Sequence, residues 1–255
     1  MTLVVHMFPC LQDNYGYLVH DPETGATASI DTPDAEAIDA ALAERGWRLT
    51  HILNTHHHFD HAGGNEALKA RWGCTIVGAA NDAARIPGID SGVAEGDTVT
   101  LGHARARVLE VPGHTTGHIA YHFADDGMVF VGDTLFALGC GRLFEGTPAQ
   151  MWQSLGKLMA LPDTTTVYCA HEYTQSNARF ALSVEPDNAA LVARAAAIDT
   201  LRAAGKPTVP STIGLEKATN PFLRAASPEL QATVERVGAP LVDVFAETRR
   251  RKDHF

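Results

Sequence analysis

Residues 55–64 read THHHFDHAGG: four histidines and an aspartate within six positions, closed by two glycines. The stretch sits between RLTHILN, an apolar strand pattern, and NEALKARWG, a short helical pattern ended by Gly73. In an extended segment alternate side chains share a face, so His56 and His58 point together and His57 points away. Asp60 and His61 follow where the chain must turn into the helix, and Gly63 and Gly64 permit the turn and a close backbone approach. One short stretch therefore offers two pairs of metal donors. Each pair is too few, because zinc-type sites use three or four protein ligands.

Three more donors lie at the ends of strand patterns: His114 after RVLEV, Asp133 after MVFV and His171 after TVYC. Strand ends that open onto loops are where functional side chains gather on α/β scaffolds. The economical arrangement puts His56, His58 and His114 on one cation and Asp60, His61 and His171 on a second, with Asp133 across both. Each cation keeps room for a shared water, whose pKa a metal can lower to about 7. Asp60 is expected to help orient the resulting hydroxide. Imidazole and carboxylate donors suit zinc first, with iron and manganese also accommodated. His6, His20, His51, His103, His122 and His254 read as ordinary surface or core residues, and His118 as a neighbour of the site rather than a ligand. A chance metal trap would not need the strand-loop-helix context that this motif has.

The chain has 255 residues and a formal net charge of -10, which argues against a general nucleic-acid or anionic-membrane surface. No segment is long and apolar enough to span a membrane, and MTLVVHMFPC lacks the features of a signal peptide, so a cytoplasmic protein is expected, as a monomer. Cys10, Cys74, Cys140 and Cys169 form no C-x-x-C pair and suggest neither a disulfide framework nor a thiolate metal site. Strand patterns recur at LVVHMF, YGYLVH, ATASID and CTIVGA, and HIAYHF and MVFVGD flank the hairpin signal ADDG. Thr32 and Pro33 read as the start of a helix ended by Gly46. Thr147 and Pro148 open a helix with Met151, Trp152, Leu155, Leu158 and Met159 on one face. From about Thr174 the chain turns Ala-rich and helical, Ser227 and Pro228 opening one helix and LVDVFAETRRRKDHF forming the last. The expected organisation is an α/β (α+β) domain over residues 1–172 and a small helical domain over 173–255.

THHHFDH matches the T-H-x-H-x-D-H hallmark of the metallo-β-lactamase superfamily. With LQDNYGYLV, VPGHTTGHI, GDTLFALGCGRLFEGT, AHEYTQSNARFA, NPFLR and RRRKDHF, the chain most resembles the glyoxalase II (hydroxyacylglutathione hydrolase) family over nearly its whole length. The resemblance implies an αββα sandwich followed by a helical substrate domain, and a binuclear site with the ligands named above. It implies hydrolysis of S-(2-hydroxyacyl)glutathione thioesters, chiefly S-D-lactoylglutathione to D-lactate and glutathione, by a metal-bridging hydroxide. It also implies glutathione-binding roles for Arg142, Tyr173, Arg249 and Lys252. Where animal and plant forms often carry a tyrosine hydroxyl, this chain has Phe144, which leaves packing as its role. On composition alone, TRRRKD reads as a solvated helix end whose cations favour the dipole; the resemblance reverses that for Arg249 and Lys252. Competing readings are a persulfide dioxygenase with one iron, another hydrolase of the superfamily, and a non-catalytic metal-binding module. The terminal R-x-x-K-D and long helical C-terminus speak against the first.

Overall fold

The computed structural model describes residues 2–255. Two compact units are formed: one runs to Glu110 and includes Thr116–Gly132, the other comprises Val111–Thr115 and Asp133–Phe255.

The first unit contains β1 (Val4–Cys10), β2 (Asn14–His20), β3 (Thr27–Ile30), α1 (Ala35–Arg45), β4 (His51–Leu53), α2 (Phe59–Ala62), α3 (Asn65–Trp72), β5 (Thr75–Ala79) and β6 (Ser91–Val93). β7 (Thr98–Leu101), β8 (Ala104–Glu110), β9 (Ile119–Phe123) and β10 (Met128–Gly132) complete it. β1 to β6 form one sheet in chain order, antiparallel through β3 and parallel from β3 to β6. The change of sense follows from the connections: a tight turn joins antiparallel strands, whereas the helical crossovers after β3 and β4 return the chain in parallel. β7 to β10 form an antiparallel meander.

Each layer has a reason in side-chain chemistry. Ile38, Ala41 and Leu42 of α1 and Leu68 of α3 are buried with Leu18, Ile52 and Ile76 of the first sheet. Between the two sheets, Tyr17 meets Phe130 edge-on at 5.6 Å. The Tyr121 hydroxyl, deep in the unit, lies 3.0 and 3.3 Å from the carbonyls of Asn54 and Val77, so its buried proton has acceptors. The carboxyl ends of β3, β4 and β5 share one edge of the sheet, because parallel strands point the same way. Asp31, the THHHFDH stretch and Asp82 lie just beyond these ends.

One local expectation is corrected. α1 starts later than Thr32 and Pro33 suggest: Asp34 is the N-cap and accepts from the Glu36 and Ala37 amides, while Gly46 closes the helix in the left-handed conformation. Thr32 is instead spent on α3, its hydroxyl donating to Asn65 Oδ1 at 2.7 Å. The expected turn between β4 and α3 is made by the short helix α2, residues 59–62. Gly63 and Gly64 keep ordinary helical φ values of -65° and -84°, and what they supply is room. A Cβ on Gly64 would lie 2.9 Å from the Thr32 carbonyl oxygen.

The second unit holds β11 (Leu135–Phe136), β12 (Gly139–Cys140), α4 (Pro148–Met159), β13 (Thr166–Cys169), α5 (Thr174–Val184), α6 (Ala189–Ala203), β14 (Ser211–Thr212), α7 (Ile213–Thr219), α8 (Pro228–Thr233) and α9 (Leu241–Asp253). Thr147 and Gln150 form a capping box on α4, with Pro148 at its first position. Trp152 of α4 packs on Phe245 of α9 with ring centroids 5.7 Å apart. α5 and α6 bury Ala178, Ala181, Leu191, Ala195 and Ile198 around Leu138. A buried polar network fixes the β11–β12 hairpin: Glu216 accepts from the Leu138 amide, and Asn220 Nδ2 donates to Glu216 and to the carbonyls of Phe136 and Gly139. Among the described residues no helix is long and apolar enough to cross a membrane.

Candidate metal centre

In the first unit the ring nitrogens can be assigned from their neighbours. Asp31, just past β3, accepts from the Thr55 amide at 2.7 Å and from the Thr55 hydroxyl at 2.8 Å. Because that hydroxyl gives its proton to a carboxylate, it accepts from His56 Nδ1, 3.1 Å away. This puts the His56 proton on Nδ1 and a lone pair on Nε2. Oδ2 of Asp31, which takes the Thr55 hydroxyl, also accepts from His61 Nδ1 at 2.8 Å, which likewise leaves the lone pair of His61 on Nε2. His56 Nε2 faces Nδ1 of His58 at 3.1 Å, so these two histidines turn different nitrogens to one point. Asp60 Oδ2 lies 3.5 Å from His61 Nε2 and accepts from Asn14 Nδ2 at 3.2 Å.

His57 turns elsewhere, its Nδ1 lying 2.9 Å from Asp82 Oδ2. His118 stacks on His56, the centroids 4.6 Å apart and the planes at 19°. Gly132 ends β10 at φ +48°, where a Cβ would meet Thr55 Oγ1 at 2.5 Å and His118 at 2.8 Å. Only glycine combines that backbone conformation with that closeness.

The second unit holds a set of its own. Asp133 presents one oxygen to each of two histidines: Oδ2 is 3.4 Å from His114 Nε2, and Oδ1 is 3.4 Å from His171 Nε2. Nδ1 of His114 donates to the Arg142 carbonyl at 2.9 Å, again placing the lone pair on Nε2. Such outer partners fix both tautomer and ring orientation in metal-binding histidines. His114, Asp133 and His171 are all nearly inaccessible to solvent. Histidine and carboxylate donors of this kind suit a divalent cation. The four cysteines are free and buried, and burial pushes the thiols of Cys140 and Cys169 up to about 11 and about 12, which suits packing rather than ligation.

The remaining candidates lie in the second unit. Tyr173 stacks face to face on His171, 4.7 Å and 1° apart, and Phe136 meets both rings edge-on. Phe144 is exposed but turns its ring edge to His114 at 5.2 Å. Lys252 packs its ammonium over Phe180 and Phe255 and donates to the Ser176 carbonyl at 3.3 Å. Burial, then the charges of Arg249 and Arg142, lower its pKa to about 8. Arg249 is itself buried. Its Nη1 donates to the Cys140 carbonyl at 2.8 Å, its Nη2 lies 2.8 Å from Asp253, and its guanidinium sits over Phe222.

Asp31, Asn14 and Thr55 hold the candidate donors, and their roles escaped the reading of the sequence. Asp31 did carry a signal, since it ends a strand pattern, the same position that singled out Asp133.

Comparison with known proteins agrees with this chemistry. The family model of the metallo-beta-lactamase superfamily matches residues 23–171, and that of the hydroxyacylglutathione hydrolase C-terminus matches residues 172–255. A hydroxyacylglutathione hydrolase from Ruegeria pomeroyi is 58% identical over 255 residues, covering all of both chains. The crystal structure of ETHE1 from Myxococcus xanthus has a TM-score of 0.67 at 30% identity, covering all of both chains. That of TTHA1623 in a di-iron-bound form has a TM-score of 0.62 at 26% identity, covering 86% of this chain and 100% of that one. The metallo-β-lactamase fold is thus shared with solved structures, the C-terminal region matches its own family model, and identity that runs from end to end narrows the kinship further: the chain belongs to the hydroxyacylglutathione hydrolase family of the metallo-β-lactamase superfamily.

Proposed function

We infer that this chain hydrolyses S-(2-hydroxyacyl)glutathione thioesters, with S-D-lactoylglutathione as the leading substrate and D-lactate and glutathione as products. The observation that carries the reading is the full-length identity of 58% to a hydroxyacylglutathione hydrolase. The match of residues 172–255 to that family's C-terminus speaks against the persulfide dioxygenase alternative.

His56, His58 and His114 would hold one divalent cation and Asp60, His61 and His171 a second, with Asp133 shared. Two observations support this: the two oxygens of Asp133 each face a different imidazole, and the similar TTHA1623 has been solved in a di-iron-bound form. Zinc, iron and manganese all suit such donors. When bound, the cations supply a hydroxide nucleophile at neutral pH and polarise the thioester carbonyl.

The chain's own residues do the rest. Asp31, the Thr55 hydroxyl and the Arg142 carbonyl hold protons on Nδ1 of His61, His56 and His114, so that Nε2 of each is a donor. Asn14 orients Asp60, which would aim the nucleophile. The leaving thiolate, with a pKa of about 8.5, departs without obligatory protonation, so no general acid is required. Lys252 and Arg142 would offer cations to the carboxylates of the tripeptide and Tyr173 a hydroxyl. Arg249 would act at least partly by holding the turn that ends in Arg142.

The test is to measure thiol release from S-D-lactoylglutathione and metal content on one sample, with Asp133→Ala beside it. Turnover with about two metals per chain, lost in the variant, is expected. An inactive wild-type protein carrying its metals would overturn the reading.

A further inference from the structure

His57 is the one histidine of THHHFDH that the ligand assignment does not use. Its Nδ1 lies 2.9 Å from Oδ2 of Asp82, a carboxylate only 1% exposed just beyond β5. The other oxygen, Oδ1, is taken by Arg85 Nε, and Arg85 Nη2 goes on to donate to Thr116 Oγ1 at 3.1 Å. Gly117 presses on the same carboxylate so closely that a Cβ there would meet Asp82 Cβ at 2.3 Å. One buried charge therefore ties together the loop of His56 and His58 and the segment that begins two residues after His114.

The burial of Asp82 makes this arrangement more than the cap of a turn. A carboxylate removed from water is costly unless fully paired. Here both oxygens are engaged by groups from ligand-bearing loops or by the arginine that reaches one, so moving either loop would strand the charge. We propose that Asp82 is a positioning residue for the first cation, acting through His57 on His56 and His58 and through Arg85 on the Thr116 segment. The inference rests on the two-metal reading above. It assigns to His57 the task of holding the backbone between two ligands in register.

The test uses His57→Phe, which keeps a ring but removes the hydrogen bond, and Asp82→Asn, which keeps the shape but removes the charge. Wild type and variants are loaded with zinc alone, then titrated with a chelator while bound metal is counted and unfolding is followed. His57 is partly exposed, so His57→Phe keeps the test open if Asp82→Asn fails to fold. One of two zinc equivalents should be lost at about tenfold lower chelator, the usual scale for outer partners of metal ligands. The second should be retained, with kcat falling and KM unchanged. A variant that folds normally and holds both equivalents as tightly as wild type would overturn the proposal. A wild-type protein that binds no zinc would overturn the two-metal reading and this inference with it.

Discussion

Asp31 holds the Nδ1 proton of His61 across 2.8 Å in a site where both side chains are buried. The same carboxylate accepts twice from Thr55, one residue before His56, so it braces histidines assigned to both cations. It does so from a left-handed backbone, φ 58°, which asparagine tolerates and alanine does not. Asp31→Asn should therefore fold but bind metal about 10- to 100-fold more weakly. Asp31→Ala should in addition lose about 2–4 kcal/mol of stability, since it strands the Thr55 donors and strains the turn. Chelator titration and denaturant unfolding separate the two effects; equal metal affinity in Asp31→Asn would contradict this account.

Arg249 and Lys252 lie three residues apart on α9 yet do different work. Arg249 is buried and holds the Cys140 carbonyl and Asp253, so Arg249→Ala should lower the unfolding midpoint as well as raise KM. Lys252→Met should raise KM with little change in stability or kcat, the pattern of lost uniform binding. Equal stability losses in the two variants would refute the distinction.

The lowered pKa of Lys252 sets a pH dependence. Burial and two neighbouring arginines disfavour its charged form, outweighing Asp253 and bringing it from 10.5 to about 8. If this ammonium binds a substrate carboxylate, KM should rise as pH climbs through about 8, and the rise should vanish in Lys252→Met. The stability sign is opposite to that of a paired lysine. The unfolded chain binds this proton more tightly, so the group's contribution to stability rises between about pH 8 and about pH 10.5. A KM that is flat from pH 7 to pH 9 would remove Lys252 from the binding residues.

Local pattern made the candidate donors legible and hid the residues that hold them. His56 and His58 stand out because a strand approach implies alternation, yet that alternation could not show that they use different nitrogens or that α2 begins right after His58. The strands and most helix starts followed from periodicity and caps, as at Thr147 and Ser227. The start of α1 did not, because Thr32, a good cap by type, is claimed by Asn65 on another element. Asp82 sits in AANDAAR, which carries no pattern of its own, and the groups that meet its buried carboxylate include His57, 25 residues earlier. Arg249 reads by composition as a solvated cation. Its burial depends on a carbonyl 109 residues earlier, and no window of sequence contains both.

Glu172 offers a second test of support from behind. It lies between His171 and Tyr173, whose rings stack, and its own oxygens accept from the Thr208 hydroxyl at 2.6 Å and amide at 2.9 Å. Thr208→Val removes the hydroxyl bond while keeping the shape, so kcat/KM should fall about two- to tenfold, the worth of one hydrogen bond. Thr208→Ser should restore it. Unchanged kinetics in the valine variant would show that the stack needs no brace.

Phe144 provides the most direct test of how the tripeptide is held. It is 63% exposed, an unusual position for a large apolar ring, and it turns its edge to His114 at 5.2 Å. Its backbone is already fixed, since the Phe144 amide donates to the His114 carbonyl at 3.3 Å. Phe144→Tyr therefore adds a hydroxyl at the ring's far end without moving the ring or the ligand. If the tripeptide lies over this ring, the new hydroxyl gains one hydrogen bond, and KM should fall about two- to tenfold with kcat unchanged. Phe144→Ala should raise KM through lost apolar contact, again with kcat nearly unchanged if His114 keeps its bond to the Arg142 carbonyl. Should both substitutions leave KM as it was, Phe144 would lie outside the binding surface, and the cations at Arg142 and Lys252 would carry the tripeptide without it.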